Sequence, residues 1–287
     1  MLPPLFTGSH TQNASANAQK QETKAPDTLQ SADEHPRVSS LSVVLAQEMH
    51  RLNNLLVLVR RSLEDLQRAL AGVVVLSQPL EALSASVLAR NVPLLWAQHA
   101  YPSQRRLAGW FSDLCARVAF FRTWLQHGPP ACFWLPAFVH PQGFLTAVLQ
   151  THARTHGMPV DTLSFSHSVL SLSPQEISSS PEEGVYVSGL FLNGARWDAE
   201  AACLAESRSR EMFAEMPPIH FFPQQHSQPT TNSYVCPLYK TADRHGTLST
   251  TGQSTNFITT VEIPSAVPQE FWVLRGVALV NEPKEME

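Results

Sequence analysis

His152 and His156 stand four residues apart in FLTAVLQTHARTHG. On a helix that spacing puts both imidazoles on one face, as in enzymes that hold zinc with two histidines. The residues between them, Ala153, Arg154 and Thr155, include no glutamate to act as a base, and no third ligand is evident. The pair therefore reads as a partly exposed helix face. A phosphate cradle is the next chemistry to test, in GTLSTTGQST from Gly246 to Thr255. A P-loop needs G-x-x-x-x-G-K-[ST], with lysine as a point charge and a helix opening behind it. Here Gln253 replaces the lysine, the glycines are spaced one residue too far apart, and a strand follows, so a hydroxyl-rich turn is expected. The nearest approach to a nucleophile elbow, Val187-Ser188-Gly189, lacks the first glycine of G-x-S-x-G. Cys115, Cys132, Cys203 and Cys236 form no C-x-x-C pair, so they are expected to be reduced, mostly buried thiols and not a zinc site. The expectation is no catalytic, cofactor-binding or metal residue in this protein.

Gly194-Ala195-Arg196-Trp197-Asp198 brings a guanidinium, an indole and a carboxylate together. Arg196 can pair with Asp198 or stack on Trp197 and lock the end of a strand, and a partner-binding anchor is the functional alternative.

Composition narrows the classes further. The 287 residues, 43% hydrophobic, can build a real core, and a net charge of −4 without a run of basic residues leaves no footprint for nucleic acid. The start, MLPPLFTGSHTQ, has neither the basic nor the apolar region of a secretion signal, and no stretch has the length a bilayer demands. A soluble, intracellular protein without a membrane or nucleic-acid partner is expected.

The elements that must position these residues can be read in order. Residues 1–38 are rich in Gln, Ala, Ser, Asn and Thr and are expected to be a disordered tail. Leu45, Met49, Leu52, Leu56, Val59, Leu63, Leu66 and Leu70 then recur at steps of four and three. They predict a long amphipathic helix ending at Gly72, about 45 Å in length, whose apolar face wants a partner surface: neighbouring helices in preference to a coiled coil, because the stripe is wider than a two-stranded seam. Shorter helices are predicted over 79–89 and 94–99, and a strongly aromatic one over 106–126 containing Trp110, Phe111, Phe121 and Trp124.

Gly128-Pro129-Pro130 stops that helix, and Gly128 to Gln150 reads as a packed joint, with Phe133, Trp134, Phe138 and Phe144 as core shared by both halves. A further helix is predicted over 142–155. Six strand-like runs follow, at 163–170, 185–192, 219–222, 234–240, 256–263 and 272–280, with a solvent loop from Ser171 to Glu183. The predicted fold is α+β: a tail over 1–38, a helical region over 39–128, and over 129–287 a helix with a small antiparallel β-barrel or sandwich.

Several blocks, taken together, resemble the C-terminal region of dynein heavy chains of the axonemal type. They are RLNNLLVLVRRSLEDLQRALAG, NVPLLWAQHAYPS, GPPACFWLPAFVHPQGFLTAVLQ, DTLSF, GVYVSGLFLNGARWD, CPLYKT, GTLSTTGQSTNF and RGVALV, from about Ser39 onward, while residues 1–38 match nothing in the pattern. The resemblance implies a cap of helices and a small β-barrel lying against the AAA+ ring of a motor heavy chain. It implies that ATP and magnesium bind upstream modules, so that this chain has no cofactor and is not itself an enzyme. The implied partners are the ring, the dynein intermediate and light chains or axonemal proteins of the complex, and microtubules only indirectly. The implied location is the cytoplasm and cytoskeleton, in the axoneme of a cilium or flagellum. A stand-alone interaction protein, binding a ring or an axonemal partner through the exposed apolar face of Leu45 to Leu70, is the alternative. Because Met1 lies directly upstream of the matching blocks, a truncated gene model and a short isoform are both compatible with this pattern.

Overall fold

The heptad-like spacing from Leu45 onward produces one helix, α1, over Ser40–Leu70. The computed structural model describes residue 3 and residues 39–225, 232–244, 246 and 254–283. The expected tail, apart from residue 3, and most of the Gly246–Thr255 turn lie outside the described residues. Within α1, Leu45, Met49, Leu52, Leu55, Leu56, Val59 and Leu66 are buried. The seam is largely covered by the protein's own helices, as expected of a long helix packed on its neighbours, and only its end, Leu70, is open, so the exposed face that the stand-alone alternative needs is missing. Shorter helices supply the cover: α1 packs on α2 (Gln78–Leu88), α3 (Leu94–Ala97) and α4 (Leu107–His127).

The chain divides into two compact units, Met1–Pro129 and Pro130–Glu287. The core of the first is aromatic, with Trp110 between Trp96 at 5.9 Å and Tyr101 at 6.3 Å, both near parallel. Against it lies a buried ion pair one helical turn long, Arg117 Nε donating to Asp113 Oδ2 at 2.6 Å. The Arg117 guanidinium sits 3.5 Å from the centre of the Tyr101 ring. Desolvation holds the Tyr101 phenol well above its usual range.

The second unit begins with β1 (Cys132–Trp134) and α5 (Pro141–His156). Pro141 occupies the first turn, where its missing N–H is harmless, and Gly157 ends the helix at φ +64°. Phe144 of α5 meets Phe138 at 4.3 Å and Phe133 at 4.8 Å, so these rings share a core inside this unit. Trp134 has a different role, covering Gly189.

Three sheets follow among the described residues. The first contains β1, β3 (Val185–Ser188), β8 (Ile219–Gln225) and β2 (Leu163–Val169), in the order β1-β3-β8-β2. The second runs β10 (Phe257–Pro264), β9 (Ser233–Thr241), β11 (Ala278–Glu282), β4 (Phe191–Asn193), β7 (Phe213–Glu215). β5 (Ala195–Asp198) and β6 (Cys203–Glu206) form a separate ribbon.

The α+β class stands, but the closed, purely antiparallel barrel does not. β1 pairs in parallel with β3, placing Phe133 opposite Val187, and β11 pairs in parallel with β9, placing Leu279 opposite Leu238. The physical reason is connectivity: strands separated by long crossovers can lie parallel, whereas only neighbours in a hairpin must be antiparallel. Two predicted runs also divide. The run over 185–192 breaks at Gly189, at φ +84°, into β3 and β4. In the run over 272–280, Trp272 belongs to a short helix α6 (Gln269–Leu274), and β11 follows. The Trp272 indole donates to Ser265 Oγ at 2.7 Å, a bond the helical turn makes possible. No helix among the described residues is long and apolar enough to cross a membrane.

Candidate functional site

The chemistry-bearing residues of the second unit gather at two places. The first is a cavity of about 370 Å³ where α5 faces β2, β9 and β10. Leu145, Leu149, Phe165 and Ile258 give it apolar walls, and Ser164, Ser166, Thr259 and Thr260 give it hydroxyls. Gln142 reaches from α5 to donate to the Phe257 carbonyl at 2.7 Å. Glu262 brings a carboxylate that accepts from Ser233 Oγ at 2.6 Å.

The cavity's one imidazole is His167. Its Nδ1 accepts the Glu262 backbone N–H at 3.2 Å, which leaves the ring proton on Nε2, a buried nitrogen with no hydrogen-bond partner. Burial pushes the His167 pKa down to about 4, against the opposing pull of Glu262. At neutral pH the ring is an uncharged N–H donor facing a small polar chamber. No cysteine lines the cavity.

The second place is the end of α5. His152 and His156 project from successive turns with ring centres 4.1 Å apart. His156 Nδ1 donates to the His152 carbonyl at 3.0 Å, and its Nε2 lies 3.3 Å from Glu183 Oε1. Glu183 is the residue that sequence reasoning did not find. It belongs to the Ser171–Glu183 loop, and only the fold returns the loop's last residue to the helix. Its backbone is well held: the His220 ring donates to the Glu183 carbonyl at 2.8 Å. Gly184, at φ +75°, passes so close to β8 that a Cβ there would stand 2.1 Å from the Phe221 carbonyl oxygen. His152 is held below its usual pKa by partial burial, then by the neighbouring His156, against the pull of Glu183.

The other candidates lie apart from these two places. Arg196 pairs with Asp198 at 3.2 Å, but inside strand β5 and not beyond a strand's end. Asp198 also accepts the N–H groups of Ala201 and Glu200 at 3.2 and 3.1 Å. The Ala201 bond leads in holding its carboxyl below the usual range, helped by Glu200 and Arg196. Ser188 is buried, its hydroxyl donating to the Phe133 carbonyl at 3.5 Å. All four cysteines are free, three half-buried and Cys236 fully so. Burial pushes the Cys132 and Cys236 thiols up, the opposite of what a nucleophile needs. Of the Gly246–Thr255 stretch, residues 247–253 lie outside the described residues. At its end, Asn256 accepts from the Thr241 N–H at 3.1 Å and donates to Thr241 Oγ1 at 3.0 Å, closing the base of the β9–β10 connection.

The protein has relatives among known proteins. The family model for the C-terminal domain of dynein heavy chains matches residues 6–281, beginning well before Ser39. Dynein axonemal heavy chain 1 of Homo sapiens is 46% identical over 242 residues, 84% of this chain and 6% of the relative. Dynein axonemal heavy chain 6 of Homo sapiens is 41% identical over 281 residues, 91% of this chain and 7% of the relative. Dynein axonemal heavy chain 12 of Homo sapiens is 45% identical over 243 residues, 84% of this chain and 8% of the relative. The sequence therefore spans under a tenth of the length of these relatives.

Proposed function

The protein belongs to the family formed by the C-terminal domains of dynein heavy chains, and we propose on that premise that it acts as the C-terminal cap of an axonemal-type heavy chain. In this reading it is a structural and regulatory part of an ATP-driven microtubule motor in the axoneme of cilia or flagella, with no catalytic site of its own. The observation that carries it is the extent of the likeness: identity of 41–46% runs over 84–91% of this chain yet touches only 6–8% of three human relatives.

The cap lies against the AAA+ ring, and nucleotide hydrolysis, magnesium binding and microtubule contact belong to other parts of the motor. Surface chemistry supports a neighbour. Leu70, Val73, Val74, Val75 and Leu76 form an exposed apolar run after α1, with Val75 85% accessible. Such a run in a protein with a packed core is an interface in waiting.

Two measurements test the proposal. The purified protein should hydrolyse no ATP in the presence of microtubules, and stimulated hydrolysis would overturn the reading. In a full heavy chain, Val73→Asp with Val75→Asp should change microtubule-stimulated ATPase and gliding speed, since the charges fall where the cap meets its neighbour. Unchanged rates would remove the regulatory role. Leu52 is fully buried, so a charge there tests folding and not regulation.

A further inference from the structure

We propose that His152, His156 and Glu183 form a binding site for a divalent transition metal ion of the zinc class, clamping the last turn of α5 to the segment that enters β3. The inference is independent of the motor reading. It rests on the convergence of two imidazoles and a carboxylate whose ligand atoms all lie within 4.8 Å of one another, alone of its kind among the described residues.

The proton arrangement of His156 is the first argument. Its Nδ1 faces a carbonyl oxygen and must carry a hydrogen, so in the neutral ring the other nitrogen, Nε2, turns a lone pair toward the Glu183 carboxylate. Nε2 and the carboxylate oxygen stand 3.3 Å apart, a gap that a shared proton or a metal cation closes. At zinc–nitrogen and zinc–oxygen distances of about 2.0–2.1 Å, the edge of a tetrahedron is about 3.3–3.4 Å, the separation already present. His152 stands beside this pair as a further ligand. A metal engages both rings at once, and their ligand atoms already lie within reach of one ion.

The bond from Nδ1 to the backbone also fixes the tautomer and orientation of the ring, as metal-bound histidines require. That bond alone is not the signal. His99 and His127 make the same contact one turn back, to Leu95 and Thr123, and neither is in such a cluster.

Preorganisation is the second argument. Glu183 has its carbonyl tied to His220, and Gly184 after it is wedged against β8. On the other side, α5 ends one residue after His156 at Gly157, where the N–H groups of Gly157 and Met158 both return to the Ala153 carbonyl. A cation there meets the negative end of a 16-residue helix. Exposed Glu183 and His156 rotate about their side-chain bonds to complete the geometry, and water fills the remaining position.

The test is zinc chloride titrated by calorimetry into the full, untagged protein, with cobalt(II) absorption as the coordination readout. One saturable equivalent is expected, with the intense visible bands of four- or five-coordinate cobalt. His156→Ala and Glu183→Gln, at exposed positions, should each weaken zinc binding by about tenfold or more, while His99→Ala leaves it unchanged. Circular dichroism confirms that each variant is folded. Wild-type affinity and stoichiometry in both His156→Ala and Glu183→Gln, or only unsaturable binding in the wild type, would overturn the proposal.

Discussion

The Trp96 indole donates to Ser62 Oγ at 2.9 Å, and Ser62 passes the bond on to the Val59 carbonyl at the same distance. Short α3 is thereby tied to the C-terminal third of α1. A Ser62→Ala variant leaves a buried indole N–H without an acceptor and is expected to lose about 1–3 kcal/mol. Urea unfolding of the two proteins reads this directly, and an unchanged midpoint would mean that the bond contributes nothing.

The buried Arg117–Asp113 pair predicts a strong asymmetry between breaking it and replacing it. Asp113→Ala removes the carboxylate from a buried guanidinium and is expected to cost about 3–5 kcal/mol. Asp113→Leu combined with Arg117→Met removes both charges and should cost clearly less than the sum of the single changes. The double-mutant cycle by denaturant unfolding is the measurement, and strict additivity would contradict the coupling.

Two glycines with positive φ separate backbone strain from overpacking. At Gly157 a Cβ would meet open space, so Gly157→Ala should cost only the left-handed penalty of about 1–2 kcal/mol. At Gly189 the same atom would stand 2.5 Å from Trp134 Cδ1, so Gly189→Ala should cost about 1–3 kcal/mol more. The difference between the two melting shifts reads the contact, and equal shifts would show that Trp134 simply moves aside.

His167 gives the pH prediction. Its folded pKa of about 4 lies below the ordinary value of 6.5 because burial favours the neutral ring. The unfolded protein therefore binds a proton that the folded ring refuses. The contribution of neutral His167 is complete near pH 7 and is lost as pH falls through 6.5 toward 4, about 3 kcal/mol in all. Unfolding free energies of the wild type and His167→Gln, compared at pH 7 and pH 4.5, should converge or cross as pH falls. Parallel pH curves would show that the ring is not desolvated.

What was legible in the sequence was whatever repeats locally. The four-and-three recurrence of Leu45, Met49, Leu52, Leu56 and Val59 encodes α1 and its buried face because helix periodicity is a property of neighbours. Pairing across long intervals leaves no such trace. Nothing near Cys132 to Trp134 announces a parallel partner at Tyr186 to Ser188, and nothing near Trp272 distinguishes a short helix from a strand within one apolar run. Glu183 was hidden for the same reason. The helix spacing exposed the two histidines, but the carboxylate reaches them only through β8, whose His220 and Phe221 fix the turn before β3.

The place of β11 in the five-stranded sheet bears on how this protein emerges from the ribosome. It lies between β9 and β4 and joins the β10–β9 pair to the β4–β7 pair, yet it follows all four in sequence. Until residues 278–282 have been synthesised, β9 and β4 each present an open edge of unpaired backbone groups, the kind of surface on which nascent polypeptides misassociate. Closure of the sheet is a late, long-range event, and the window before it is when a chaperone matters most to this protein.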